Sequence, residues 1–209
     1  FVRSEKDIME LKTAMKLFGG PSLPVIAKIE RYEGYEDIED IIAESDGIMV
    51  ARGDLGLEMP AEQVPVLQKE IIRRCNLKGK PVIVATQMLE SMIQNPRPTR
   101  AEASDVANAV IDGADCVMLS GETSIGAFPF DAVDYMNRII RIVEDQYYSK
   151  DRKKFLMRHN EPAMEFNGDP NDISDALGRA SCVIAEQIDA SAVISLTMSG
   201  YTANNIAKY

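Results

Sequence analysis

Four short and nearly continuous apolar runs punctuate the first part of the chain. They cover residues 23–30, 46–54, 81–88 and 114–122. Each run is rich in aliphatic and β-branched residues and ends in polar ones. Continuous apolarity, as opposed to alternation, is typical of parallel strands covered on both faces. The pattern therefore predicts four buried parallel strands.

Amphipathic patterns between the runs predict crossover helices. They cover residues 5–18, 35–43, 64–78, 99–112 and 129–150. The fourth opens with a capping box, Thr99 to Glu102, and Gly113 follows its end. Strand and helix thus alternate at a repeat of about 25–35 residues, the size of a βα unit. This repeat predicts a doubly wound sheet or a (β/α)₈ barrel, and polar residues at the carboxyl ends of the strands suit a barrel active site.

The pattern changes after residue 149. Residues 150–171 are polar and include a basic cluster and several turn residues, which predicts a connection between domains. A predicted helix at 172–188 and a predicted strand at 192–197 then indicate the start of a second α/β domain. Both ends of the sequence fall inside predicted elements, so we expect a longer parent polypeptide.

Composition narrows the function. The formal net charge of −10 over 209 residues argues against a nucleic-acid backbone or an anionic membrane as the main partner. The three cysteines form no CxxC pair and are predicted to be buried free thiols in a reducing compartment. A single histidine, His159, argues against Ser-His-Asp or Cys-His catalysis and against a His-based zinc site. No dinucleotide-binding or P-loop glycine motif is present.

Charged residues at the ends of the first two runs predict a cation site. Lys28 and Glu30 are two apart and share a face of a strand, and burial against helices would be costly for both. Asp54 ends the next run, and adjacent strands lie roughly 4.8 Å apart, so Glu30 and Asp54 are placed to share a divalent cation. Two carboxylates, with water and substrate completing the shell, suit Mg²⁺ or Mn²⁺. A simple ion pair between Lys28 and a carboxylate explains the spacing equally well.

Three further features have both a functional and a structural interpretation. Gly53 and Gly56 flank Asp54 and either expose backbone N–H groups to an anion or form a plain turn. The Thr86 hydroxyl either donates to a substrate carboxylate and passes a proton or bonds to nearby backbone. Ser120 and Glu122 end the fourth run and are weaker candidates for the same work.

A hydroxyl-rich stretch closes the predicted strand of the second domain. Thr197, Ser199 and Thr202 lie where that strand meets a new helix. Hydroxyls and N–H groups at a helix start can bind phosphate, although ordinary N-capping explains them as well.

Long motifs in this chain resemble the pyruvate kinase family. They are KIE at 28–30, GIMVARGDLGLE at 47–58, PVIVATQMLESM at 81–92, the run from PRPTRAEASD to TSIGAFP at 96–129, and TMSGYTA at 197–203. The resemblance covers nearly the whole chain, in order. It implies a partial (β/α)₈ TIM barrel in residues 1–149, catalytic, a connection at 150–171, and the start of a C-terminal α/β regulatory domain at 172–209.

The resemblance also implies a reaction, in which the phosphoryl group of phosphoenolpyruvate passes to ADP to give pyruvate and ATP. By position, Glu30 and Asp54 resemble the Mg²⁺ (or Mn²⁺) ligands, and Lys28 resembles the cation beside the transferring phosphoryl group. Thr86, with the backbone N–H groups of Gly53 and Asp54, resembles the cradle of the substrate carboxylate. The resemblance also implies that Thr86 lies near the carbon that gains a proton.

The resemblance implies further family properties, most of which lie outside this chain. The K⁺ site and much of the ADP site belong to family segments that this chain lacks. A cytoplasmic, glycolytic homotetramer is expected. Thr197, Ser199 and Thr202 resemble an effector phosphate site for a sugar phosphate or nucleotide, but Met198 stands where some sugar-phosphate-activated members carry Lys.

Two alternatives to an active kinase follow from the same residues. A Mg²⁺-dependent barrel lyase or aldolase acting through an enolate would use the same carboxylate pair. The chain alone could instead be an inactive fragment that only binds or assembles, because half a barrel has open strand edges. In every case Arg52 is expected to be structural and to orient its loop through ion pairs.

Overall fold

A four-stranded parallel sheet organises the chain. The computed structural model describes residues 1–19, 21, 23–147 and 173–209. The strands are β1 (Ile26–Ile29), β2 (Gly47–Ala51), β3 (Val82–Ala85) and β4 (Cys116–Met118), and they lie side by side in sequence order. Every pairing is parallel. An order without reversal is that of consecutive barrel units and lacks the switch point of a doubly wound sheet.

Helices connect and cover the strands. They are α1 (Glu5–Leu17), α2 (Tyr32–Glu36), α3 (Ile38–Glu44), α4 (Arg52–Glu58), α5 (Val64–Leu77), α6 (Arg100–Ile111), α7 (Gly121–Ser124), α8 (Pro129–Tyr147), α9 (Ile173–Gln187) and α10 (Tyr201–Ala207), with 3₁₀ turns at Ala61–Gln63 and Glu90–Ile93. The predicted capping box of α6 is confirmed, since the Thr99 hydroxyl accepts the Glu102 N–H and the Glu102 carboxylate accepts the Thr99 N–H. The helix predicted at 35–43 is two short helices that meet at Asp37.

The two faces of the sheet differ in burial. Ile29, Val50, Val84 and Val117 form one row across the strands, and the first three are 0% exposed beneath the helices. The neighbouring row, formed by Lys28, Met49, Ile83 and Cys116, lies on the other face and is partly or fully exposed. The prediction of strands covered on both faces is therefore wrong for this row, although Ala51 and Ala85, farther along the same face, are 0% exposed.

The cysteines follow the same division. Cys75 on α5 is buried, as predicted, and burial raises the pKa of its thiol to about 12. Cys116 is exposed, which contradicts the prediction, because the strand register places it on the partly exposed face. Cys182 is partly buried and donates to the Ile206 carbonyl oxygen.

Two aspartates at the amino ends of strands repeat one arrangement. The Asp46 N–H donates to the Val25 carbonyl oxygen at 2.8 Å, and the Asp46 carboxylate accepts the Val25 N–H at 2.7 Å. Asp115 makes the same pair of bonds with Val82, at 3.0 and 2.8 Å. Each aspartate thus adds one pair of hydrogen bonds between neighbouring strands, just before β2 or β4 begins.

Strands end earlier than the apolar runs predict. In the second run, strand β2 ends at Ala51 and helix α4 begins at Arg52. Arg52 and Leu55 are both buried, and a spacing of three residues places them on the same side of a helix. The third run ends at Ala85, where the next two residues adopt positive φ. Asp54 therefore lies in the first turn of α4 and does not end a strand.

The strand predicted at 192–197 is absent, although α9 and α10 form on either side of it. Ile194 and Leu196 are 90% and 95% exposed, and no strand among the described residues lies beside them to complete a ladder. The predicted connection at 150–171 lies outside the described residues. The domain boundaries remain predictions.

We expect the isolated 209-residue chain to be oligomeric or poorly soluble. Within the described residues β1 and β4 each have one neighbour, and one sheet face is partly exposed, so edges and apolar surface are open to association. Size-exclusion chromatography with light scattering measures this directly. A monodisperse monomer would contradict the prediction.

Asp46→Ala should destabilise the full-length protein expected to contain this chain, here termed the parental protein. The substitution leaves the Val25 N–H without its carboxylate, and hydrogen bonds to charged groups contribute about 1.5–3 kcal/mol. Asp40→Ala, on the exposed side of α3, is the matched control. Thermal unfolding should show a lower midpoint for Asp46→Ala only, and equal midpoints would exclude the stabilising role.

Candidate active site

Three charged residues meet where β1 ends and α4 begins. The Lys28 ammonium bonds to Glu30 Oε2 and lies 2.9 Å from Asp54 Oδ2. Glu30 is only 6% exposed, whereas the side chains of Lys28 and Asp54 are 44% and 49% exposed. The predicted proximity of the three residues is confirmed, and the shared face of Lys28 and Glu30 is what permits their contact.

Lys28 and Glu30 keep their charges. The Lys28 ammonium lowers the pKa of Glu30 against the opposing effect of burial. Glu30 and then Asp54 raise the pKa of Lys28. Lys28 and Glu30 therefore both stay ionised at neutral pH.

The donor set suits a divalent cation. Carboxylate oxygens of Glu30 and Asp54 already converge on one positive atom, the Lys28 Nζ, so the simple ion-pair interpretation is what the structure contains. Within the described ranges, no cluster of three or more Asp, Glu, His or Cys side chains is arranged to hold a metal ion, so the protein itself would supply only these two carboxylates. Two protein carboxylates leave most of a hard-cation shell to water and substrate, as Mg²⁺ commonly has.

Thr86 follows β3 in an unusual backbone conformation. Thr86 and Gln87 have φ of 69° and 55°, in the left-handed region that β-branched residues such as Thr rarely occupy. Such residues cost about 1–3 kcal/mol each and persist only where their surroundings hold them. The loop after β3, residues 86–89, is therefore held in place by its contacts.

Arg52 supplies those contacts on the carbonyl side. Its guanidinium, 9% exposed, donates to the Thr86 carbonyl oxygen at 2.7 and 3.2 Å and to the Gln87 carbonyl oxygen at 3.0 Å. Asp105 of α6 accepts from the same guanidinium at 2.5 Å, and Gln68 of α5 accepts at 3.4 Å. Arg52 thus orients the loop after β3 and not its own loop, and it does so mainly through carbonyl oxygens, with Asp105 as its one ion-pair partner among the described residues.

Gly53 brings α4 against Thr86. The Gly53 N–H donates to Thr86 Oγ1 at 2.8 Å, and Thr86 Oγ1 in turn donates to the Ala85 carbonyl oxygen at 2.7 Å. A Cβ at position 53 would lie 3.2 Å from Thr86 Oγ1, so the close approach favours glycine. Gly56 has only Val64 near it, at 3.9 Å, and no such contact requires a glycine there.

The remaining candidates lie apart from Lys28. Glu122 is 2% exposed and accepts the Leu89 and Ser120 N–H groups, next to the loop after β3. No hydrogen bond in the described part of the chain joins Ser120 or Glu122 to the three charged residues.

The hydroxyls of the last loop are used locally. Thr197 Oγ1 accepts the Gly200 N–H at 3.0 Å, and Ser199 Oγ accepts the Tyr201 N–H at 3.4 Å. Gly200, at φ 84°, is the N-cap residue of α10, so neither Ser199 nor Thr202 is the N-cap that ordinary capping would require. The effector role of these hydroxyls remains a prediction.

Sequence reasoning missed Asp105 and Gln68. The apolar sequence around Arg52 indicates that its guanidinium is buried and therefore needs hydrogen-bond acceptors. The sequence does not indicate which acidic residue is the acceptor, because Asp105 lies 53 positions away from Arg52.

Comparisons with known proteins identify a family for this chain and agree with its fold. A model of the pyruvate kinase barrel domain matches residues 1–133. Pyruvate kinases of Clostridium acetobutylicum and Bacillus licheniformis are 44% and 47% identical over 100% of this chain. A crystal structure of a pyruvate kinase from Cryptosporidium parvum superposes with a TM-score of 0.85 at 43% identity, and it too covers 100% of this chain.

This chain spans only part of each relative. It covers 42% of the Clostridium protein, 34% of the Bacillus protein and 42% of the Cryptosporidium structure. The match of the barrel model and the fold agreement confirm the predicted partial (β/α)₈ barrel. The chain belongs to the pyruvate kinase family.

Proposed function

We propose that the parental protein transfers the phosphoryl group of phosphoenolpyruvate to ADP and so produces pyruvate and ATP. The observation that carries the proposal is the position of the Lys28 ammonium between the Glu30 and Asp54 carboxylates, next to a loop that presents Thr86. Phosphoryl transfer requires positioning and the neutralisation of negative charge, which this arrangement can supply without a protein nucleophile.

Glu30 and Asp54 are the proposed ligands of Mg²⁺ or Mn²⁺. Both are oxygen donors suited to hard cations, and both already face a positive charge. A divalent cation bound there would add positive charge next to the anionic substrate. K⁺, a general requirement of the family, has no proposed ligands in this chain.

Lys28 would neutralise charge on the transferring phosphoryl group. Its pKa is raised by Glu30 and Asp54, so the ammonium is fully protonated when the substrate arrives. Its side chain is half exposed and can exchange a carboxylate contact for a phosphoryl oxygen. A lysine acts here as a point charge, which suits a group that must follow the phosphoryl oxygens.

Thr86, Gly53 and Asp54 would hold the substrate carboxylate. The N–H groups of Gly53 and Asp54 lie in the first turn of α4, where they lack acceptors within the helix. The Gly53 N–H now donates to the Thr86 hydroxyl, so an arriving carboxylate would replace an internal bond. The same hydroxyl is the proposed group nearest the carbon that gains a proton.

Other assignments rest on the family alone. Thr197, Ser199 and Thr202 are the proposed effector phosphate site, for a sugar phosphate or a nucleotide. The parental protein is proposed to be a cytoplasmic, glycolytic homotetramer, and the isolated chain is expected to be inactive. Among the described residues no helix has both the length and the apolar character to cross a membrane. A barrel lyase would use the same carboxylates, but the family match does not favour it.

Pyruvate release from phosphoenolpyruvate and ADP by the parental protein, with and without Mg²⁺ in the presence of K⁺, tests the proposal. We expect metal-dependent activity, lost in Asp54→Ala. Glu30→Gln should lower turnover by several orders of magnitude and raise the Mn²⁺ concentration needed for half-maximal activity. Glu58→Gln, at the exposed end of α4, is the matched control. Unchanged metal dependence in Glu30→Gln would exclude it as a ligand, and an inactive wild-type protein would exclude the reaction.

Arg52→Lys should impair catalysis while it keeps the charge. A lysine cannot reproduce the fork that binds two carbonyl oxygens and Asp105 at once. We expect kcat/KM for phosphoenolpyruvate to fall at least about tenfold, or about 1.4 kcal/mol in the barrier.

Arg73→Lys, in an exposed pair with Glu70 on α5, is the matched control and should leave kcat/KM unchanged. Steady-state kinetics on proteins with matched thermal stability distinguish the two variants. Equal kcat/KM values for Arg52→Lys and the wild type would show that the fork is dispensable.

A further inference from the structure

Glu122 is a buried carboxylate that the proposed reaction does not use. It lies at the second position of α7 and is 2% exposed. Its Oε1 accepts the Leu89 N–H at 3.1 Å, and its Oε2 accepts the Ser120 N–H at 2.7 Å. No ion pair involving Glu122 occurs within the described ranges. Because a buried carboxylate is costly unless its oxygens are hydrogen-bonded, these two backbone bonds are what stabilise it.

The Leu89 bond reaches the loop that carries Thr86. Leu89 is 0% exposed and follows the left-handed pair by two residues. Arg52 holds that loop through the carbonyl oxygens of Thr86 and Gln87. Glu122 holds it through an N–H group, so a buried cation and a buried anion fix the same short loop through complementary backbone atoms.

The turn that carries Glu122 packs closely against the earlier 3₁₀ turn at Glu90–Ile93. A Cβ at Gly121 would lie 2.9 Å from Ile93 Cδ1, so the backbone approaches the 3₁₀ turn closely. The Ala127 N–H donates to the Ile93 carbonyl oxygen at 2.8 Å. These contacts of Gly121 and Ala127 with Ile93 therefore hold the backbone of the turn that carries Glu122.

We propose that Glu122 is a positioning residue that acts through Thr86. It keeps the loop after β3 in the backbone conformation that presents the Thr86 hydroxyl to Gly53 and to the substrate. This inference rests on the proposed function, because Thr86 matters to catalysis only if that function holds. Both oxygens of Glu122 accept backbone N–H groups, so its role is to orient the loop and not to transfer a proton.

Glu122→Gln in the parental protein tests the inference. The amide can accept one N–H, but its NH₂ group then meets the other N–H, which disturbs the loop. We expect kcat/KM for phosphoenolpyruvate to fall on the order of 10- to 100-fold, as misplacement of a positioned group does. In a Thr86→Ala background the same substitution should have little further effect, because the two residues act in one step.

Glu102→Gln is the matched control. It removes another carboxylate that accepts backbone N–H groups, those of Ser91 and Thr99, outside the loop after β3. This variant should show no comparable loss of kcat/KM. Additive losses in Thr86→Ala/Glu122→Gln, or a wild-type kcat/KM for Glu122→Gln, would overturn the proposal.

Hydrogen exchange gives a readout that does not depend on activity. The Leu89 amide should exchange faster in Glu122→Gln than in the wild type or in Glu102→Gln, and unchanged exchange would overturn the proposal. Glu122→Asp, which keeps the charge but is too short to reach both N–H groups, replaces Glu122→Gln if that variant does not fold. A wild-type protein without kinase activity would exclude the proposed function, and the exchange result would still decide whether Glu122 holds the loop.

Discussion

The buried guanidinium of Arg52 is the contact on which the arrangement of the site depends. It joins α4, which follows β2, to the loop after β3 and to α6, and so ties two consecutive βα units together at the carboxyl ends of their strands. A planar group with several fixed donors can satisfy two carbonyl oxygens and a carboxylate at once, which a flexible ammonium cannot. The strained backbone of Thr86 is tolerated because these bonds offset its cost.

Core residues and residues of the candidate site alternate along the strands of the sheet. Ile29, Val50 and Val84 face the helices and are fully buried, whereas the adjacent row begins with Lys28 and remains accessible. Because neighbouring positions point to opposite faces, one strand supplies both core and site. The two requirements therefore constrain different residues of the same short segment.

Much of this architecture could be predicted from the sequence, and the failures have physical causes. The contact of Lys28 with Glu30 follows from strand periodicity, and the start of α6 follows from its capping box. The ends of β2 and β3 could not be predicted, because Arg52 leaves the sheet to reach acceptors that are distant in sequence. Thr86 has none of the glycine or asparagine signals that normally indicate a positive φ. The missing strand at 192–197 has strand-like residues, but a strand requires a neighbour, which no local pattern contains.

The reciprocal bonds of Asp46 with Val25 lie at the amino end of the sheet, away from every residue proposed for catalysis. They nonetheless help to decide which side chains lie in the accessible row. A shift of β1 by one residue against β2 would exchange its two faces, bringing Ile29 into the accessible row and forcing Lys28 among the helices. A misaligned pair at the amino ends of β1 and β2 would thus place the wrong side chain in the accessible row near their carboxyl ends. The Asp46 carboxylate thus favours the register that keeps Lys28 in the accessible row.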